Sequence, residues 1–124
     1  MNKKFRAYDN DYSEYLEHFE ISMYGDVCDI HGMVLNAVLE QWTGLTDKNG
    51  TEIFEGDILR HPNGDIFKII FVLSYCGFRA VYNDNSKDSS NITLQINENG
   101  LAIVIGNIHQ NKELLKWAKT NCMI

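Results

Sequence analysis

The segment from Asp57 to Leu73 constrains this chain more than any other. Asp57-Ile58-Leu59-Arg60 and Ile66-Phe67-Lys68-Ile69-Ile70-Phe71-Val72-Leu73 are rich in β-branched and aromatic residues, and His61-Pro62-Asn63-Gly64-Asp65 stands between them. Asn-Gly is the pair a tight hairpin prefers, because both residues tolerate positive φ, so the segment reads as two antiparallel strands joined by a reversal. Asp47-Lys48-Asn49-Gly50 gives a second strong turn signal just upstream, and Phe78-Arg79-Ala80-Val81-Tyr82 supplies a further short strand after Tyr75-Cys76-Gly77. Consecutive short strands at this spacing imply a small antiparallel barrel or sandwich.

The rest of the chain reads mainly β as well. Phe5 and Ala7 alternate with Lys4 and Arg6, which suits a strand with one buried face. Tyr8, Tyr12, Tyr15, Leu16 and Phe19 fall at helical spacing, while Asp9-Asn10-Asp11 favours a turn, so a short helix and a hairpin stay open there. Phe19 to Met23 alternates into a turn at Tyr24-Gly25-Asp26, and residue type favours a strand over Met33 to Gln41 between Gly32 and Gly44. The polar run Asn83 to Asn91 reads as an exposed, mobile connecting loop with a possible recognition role. Ile92 to Ile96 is a strand, Asn97-Glu98-Asn99-Gly100 a turn, and Leu101 to Ile108 a nearly continuous apolar strand expected to cross the core. Asn111 is positioned to cap a helix over Lys112 to Thr120, with Leu114, Leu115, Trp117 and Ala118 on one apolar side. Such a short helix must dock to be stable, so Leu114, Leu115 and Trp117 are candidate self-association residues and a homo-oligomer is one expected state.

Length and charge limit the functions open to this fold. The chain has 124 residues and 44% hydrophobic residues, enough for one compact unit with its own core. A net charge of -6 opposes a broad phosphate-binding surface. Within that limit, Lys68, Tyr75, Phe78, Arg79 and Tyr82 are the residues that would contact nucleic acid or another partner, as a stacking platform flanked by cations. No window is apolar for long enough to span a bilayer, and Lys3-Lys4 leads into Phe5-Arg6-Ala7-Tyr8-Asp9 instead of a secretory core, so the expected place is the cytoplasm, without membrane contact. Three widely spaced cysteines, Cys28, Cys76 and Cys122, read as free thiols.

Catalytic signals are weak. Cys28-Asp29-Ile30-His31 has a spacing at which thiolate and imidazole could share a metal or act as nucleophile and base, but no second pair accompanies it, and His61, Cys76, His109 and Cys122 are scattered. Glu55 and Asp57 would share one face of a strand as paired carboxylates, whereas Gly56 between them favours turn or bulge chemistry. No phosphate-cradling loop is present, because the glycines recur between strands with no helix following. No catalytic residue, metal or cofactor is assigned, and a non-enzymatic role is expected.

Three blocks then resemble a known family. Lys4-Phe5-Arg6-Ala7-Tyr8-Asp9 is similar to the opening of the YopX family, whose members are small proteins of phages and prophages of Gram-positive bacteria. The centre, Gln41-Trp42-Thr43-Gly44-Leu45-Thr46-Asp47-Lys48-Asn49-Gly50-Thr51-Glu52-Ile53-Phe54-Glu55-Gly56-Asp57-Ile58, resembles the family signature, with Trp42 in place of its usual Tyr. Val104-Ile105-Gly106-Asn107-Ile108-His109-Gln110-Asn111-Lys112-Glu113-Leu114-Leu115 is similar to the family's ending, with Lys112 where Pro is frequent. The resemblance implies a β-rich α+β fold, with residues 1–42 as an N-terminal β-rich segment and residues 43–124 as an SH3-like barrel portion carrying the short C-terminal helix. It implies no reaction. The function expected is that of a phage or prophage accessory protein that binds an unknown protein partner or itself, with a nucleic-acid-binding barrel as the alternative.

Overall fold

The computed structural model describes residues 5–82, 90–91 and 102–115. The polar run from Asn83 is described only at Ser90–Asn91, and the expected strand at Ile92 to Ile96, the turn at Asn97 to Gly100, the helix beyond Leu115, Trp117 and Cys122 lie outside the described residues. The strands are β1 (Phe5–Asp9), β2 (Glu14–Tyr15), β3 (Glu20–Ile21), β4 (Val27–Cys28), β5 (Ala37–Thr46), β6 (Glu52–Phe54), β7 (Asp57–Arg60), β8 (Ile66–Val72), β9 (Gly77–Val81), β10 (Ser90–Asn91) and β11 (Ile103–Asn107). Every described pairing is antiparallel, in sheets ordered β2-β1-β5-β6, β10-β9-β8-β7-β11 and β3-β4, and a helical turn follows at 112–115. The mainly β class with a short helix late in the chain is therefore the one the sequence implies. The chain divides into two compact units, Met1–Trp42 and Thr43–Ile124.

In the first unit the open choice between helix and hairpin resolves as a hairpin. Asp9 Oδ1 accepts the amides of Asp11 at 2.9 Å and Tyr12 at 3.3 Å, and Ser13 turns back at φ 57°, so Tyr8 pairs with Tyr15 instead of stacking along a helix. The pairing of β1 with β5 sets Arg6 opposite Glu40. Glu40 is buried and accepts Arg6 Nε at 2.8 Å and Tyr15 Oη at 3.0 Å, while the Arg6 guanidinium lies 4.6 Å from the centre of the Tyr15 ring. A buried carboxylate is tolerated here because charged and neutral donors both reach it. The expected strand at Met33 to Gln41 starts later, at Ala37, and continues through Gly44 to Thr46. Met33 is consumed by a turn, and Val34 makes only an isolated bridge to Cys28.

In the second unit Ile53, Leu59, Phe67, Ile69, Ala80 and Ala102 form a closed core, with Leu45, Phe78, Tyr82 and Val104 packed against it. The hairpin of β7 and β8 has the expected strands. β11 pairs with β7 and is half-buried for most of its length, so it flanks the core instead of crossing it. A bulge interrupts it between Val104 and Gly106. Beyond it, Asn107 Oδ1 accepts the amides of His109 and Gln110, and Asn107 Nδ2 donates to Gln110 Oε1. The Asn111 side chain reaches back to the Asn107 amide at 3.1 Å instead of capping the helical turn that follows it.

Candidate functional site

Among the described residues, four loops share one geometry. Ser22–Asp26, Asp29–Met33, Asp47–Thr51 and His61–Asp65 each close with an amide of the first residue donating to the carbonyl of the fifth and the glycine amide donating to the first carbonyl, at 2.9 to 3.0 Å. This is a three-residue hairpin loop, a turn followed by a glycine at positive φ. Gly25, Gly32, Gly50 and Gly64 have φ from 81° to 98°, which only glycine adopts freely. The reversal at His61 to Asp65 is thus not centred on Asn63-Gly64, because Asn63 keeps a negative φ and Gly64 alone takes the left-handed position. In three of the loops the first side chain locks the frame: Ser22 Oγ takes the amides of Tyr24 and Asp26, Asp29 Oδ1 those of His31 and Met33, and Asp47 Oδ1 those of Asn49 and Thr51. The Met33 amide, ahead of that of His31, holds the exposed Asp29 carboxyl below its ordinary range.

This geometry accounts for residues the sequence left with chemical readings. Cys28 is buried with its thiol directed at the Asp26 carbonyl, while Asp29 and His31 belong to an exposed turn. Among the described residues no three His, Cys, Asp or Glu side chains gather as a metal site. Asp57 Oδ2 accepts the Phe54 amide at 2.8 Å across the Glu55-Gly56 connection, a structural bond at the point where β6 turns into β7.

The five residues named as a contact platform divide between the faces of the second unit's sheet. Cross-strand register sets Lys68 opposite Val81 and Ile70 opposite Arg79, so Lys68 and Arg79 share one face. Phe78 stands opposite Phe71 on the other face and packs on the core. The Arg79 guanidinium lies over the Tyr75 ring at 4.2 Å. Tyr82 Oη is 2.8 Å from His61 Nε2, and the three rings form a triangle, with centroids 4.8 Å apart for His61 and Phe67, 6.2 Å for His61 and Tyr82 and 5.3 Å for Phe67 and Tyr82. Burial, ahead of the charge on Asp65, pushes the Tyr82 phenol up to about 12. Leu114 and Leu115 are half-buried on the helical turn.

What sequence reasoning missed is the load on the turn tips of the first unit. Met23 and Tyr24 occupy the two free positions of one loop at 88% and 84% exposure, and Ile30 occupies the first free position of the next at 71%. Ile21, Met33 and Val34 are exposed on the adjoining strands and turn. A search for apolar residues at the two positions before glycine in a turn frame would have found Met23, Tyr24 and Ile30.

No curated protein matches the chain. The crystal structure of protein EF1440 from Enterococcus faecalis is similar to it, with 30% identity and a TM-score of 0.62, covering 93% of this chain and 99% of that one. The family model described as YopX protein matches residues 4–116, across both the opening and closing blocks. This chain belongs to the YopX family.

Proposed function

We propose that the protein is a non-enzymatic protein-binding module of phage or prophage origin, acting in the bacterial cytoplasm, that docks a partner through the turn tips of its N-terminal unit. The observation that carries this reading is the near-complete exposure of Met23 and Tyr24 on a loop whose backbone is clamped by the Ser22 hydroxyl. Large apolar side chains at such positions give nothing to the fold and are disfavoured in water, whereas Tyr and Met are enriched at protein interfaces. A clamped backbone also loses little entropy on binding, which favours affinity. Residues 1–42 hold eight Asp and Glu against three Lys and Arg, so the partner of this unit presents a basic surface around an apolar pocket.

A photo-crosslinking side chain placed at position 24, at position 30 and, as a control, at position 49 tests the reading in lysogenic or infected cells. Adducts to one discrete protein at 24 and 30 but not at 49, weakened by added salt in lysate, are expected. Adducts of equal strength at 49, or none at any position, would refute it. An adduct of twice the chain mass would replace a foreign partner with a second copy.

A further inference from the structure

We propose that a cleft in the second unit, between the Asp47–Thr51 and His61–Asp65 loops, binds a small phosphorylated metabolite, with Lys48 and Arg60 holding the phosphate. The cleft has a volume of about 430 Å³ and is lined by Lys48, Arg60, His61, Pro62, Asn63, Gly64 and Ile103. That volume lies in the range of small-molecule sites, roughly 300 to 1,000 Å³, and exceeds what an inorganic ion fills.

The cleft is built from bonds distant in sequence. Asp47 is buried, and besides the two amides of its own loop its Oδ2 accepts the Val104 amide at 2.9 Å. The Lys48 amide donates to the Ala102 carbonyl, so the loop is fixed against the start of β11. β11 in turn pairs Ile103 with Arg60 of β7. The same bonds that secure the loop therefore bring Lys48, Arg60 and Ile103 around one space. Among the described residues neither Lys48 nor Arg60 has a carboxylate partner, in a chain of net charge -6. The nearby acids are committed elsewhere: Asp47 to three amides, and Asp65 Oδ2 to the side-chain amide of Asn63 at 3.2 Å.

The walls specify the ligand class. Arg presents a planar fork that matches two phosphate oxygens, and Lys adds a compact positive charge, so the pair neutralises a dianion. Pro62 and Ile103 offer apolar surface for the body of the ligand. A polynucleotide would meet the net negative charge of the rest of the chain, whereas a single phosphate monoester meets only the local pair.

The test is a titration of the full chain with adenosine 5′-monophosphate, followed by amide NMR shifts, with adenosine, citrate and a single-stranded oligonucleotide as comparison ligands. Saturable shifts at residues 48, 60, 61 and 64 with a Kd of about 1 mM or tighter are expected. The double variant Lys48→Glu/Arg60→Glu is expected to weaken binding at least about tenfold, and Lys112→Glu, at an exposed lysine outside the cleft, to leave it unchanged. Both substituted residues are exposed, and retained dispersion in the variant's spectrum separates lost binding from lost fold. Non-saturable shifts, equal binding by adenosine, tighter binding by citrate or the oligonucleotide, or full retention in the double variant would each overturn the proposal. Position 24 crosslinking is independent of this cleft and unaffected by either outcome.

Discussion

Replacing Gly106 by alanine probes the junction between β11 and the helical turn. A Cβ built at position 106 would stand 2.5 Å from Asn111 Oδ1, 2.6 Å from its Cγ and 2.9 Å from its Cβ, distances that van der Waals repulsion forbids. The Asn111 side chain must swing away, and the Asn107 amide loses its acceptor. Asn107 is buried, so an amide left without a partner costs about 1 to 3 kcal/mol, and residual crowding brings the whole to about 2 to 3 kcal/mol. Asn111→Gly removes the same acceptor and every atom in the way, at about 1 to 2 kcal/mol. In the double variant the new methyl group enters vacated space, so its total should match Asn111→Gly alone to within about 0.5 kcal/mol. That leaves an interaction energy near 2 kcal/mol, well outside the scatter of independent sites. Urea unfolding followed by tryptophan fluorescence reads it, since a slope of about 1 to 3 kcal/mol per molar turns 2 kcal/mol into a midpoint shift of roughly 1 M. Strict additivity of the two substitutions would refute the argument, because the side chain of Asn111 would then not be what excludes a residue larger than glycine.

Two further outcomes follow from groups already placed. Asp47→Asn keeps an oxygen for the amides of Asn49 and Thr51 but turns an NH2 toward the Val104 amide, two donors face to face; a loss of about 2 to 3 kcal/mol is expected, with hydrogen exchange faster at Val104 than at Thr51. Absorbance titration of the six tyrosines should show one that ionises late, near 12, and Tyr82→Phe should abolish that component. The folded phenol ionises above its unfolded value of 10.0, so the stability linked to it is complete below pH 10 and falls as pH rises toward 12. Tyr82 keeps partial solvent access, which screens the effect to about 1 to 2 kcal/mol over that interval, and the Phe variant should lose correspondingly less stability in alkali.

The fold is legible in the sequence wherever its causes are local. The β7–β8 hairpin and the Asp47–Thr51 loop follow from residues that sit beside one another, and so do the strands that flank them. Local evidence misled at Cys28-Asp29-Ile30-His31, where Ile and His concealed the same turn frame behind metal-ligand spacing. Asn111 has the residue type of a helix cap, and only the bulge in β11 reveals that its oxygen is engaged by Asn107. Lys68, Tyr75, Phe78, Arg79 and Tyr82 look like one platform along the chain. Strand parity and antiparallel register send Lys68 and Arg79 to the face opposite Phe78, and that register depends on how the hairpins pair. The bond from Asp47 to Val104 spans 57 residues, beyond any local pattern.

The repeated loop also explains which residues are free to carry function. Its first, fourth and fifth positions are fixed by backbone bonds and by the need for positive φ at glycine. The second and third positions project outward: the fold requires of them only a compatible backbone, and their side chains can vary without touching the core. Lys48 and Asn49 fill them with polar groups, as a loop in water ordinarily does, while Met23-Tyr24 and Ile30 fill the equivalent positions with apolar surface. Identical frames with opposite side-chain chemistry cannot owe the difference to folding. The proposed partner surface would account for the apolar tips by removing them from water.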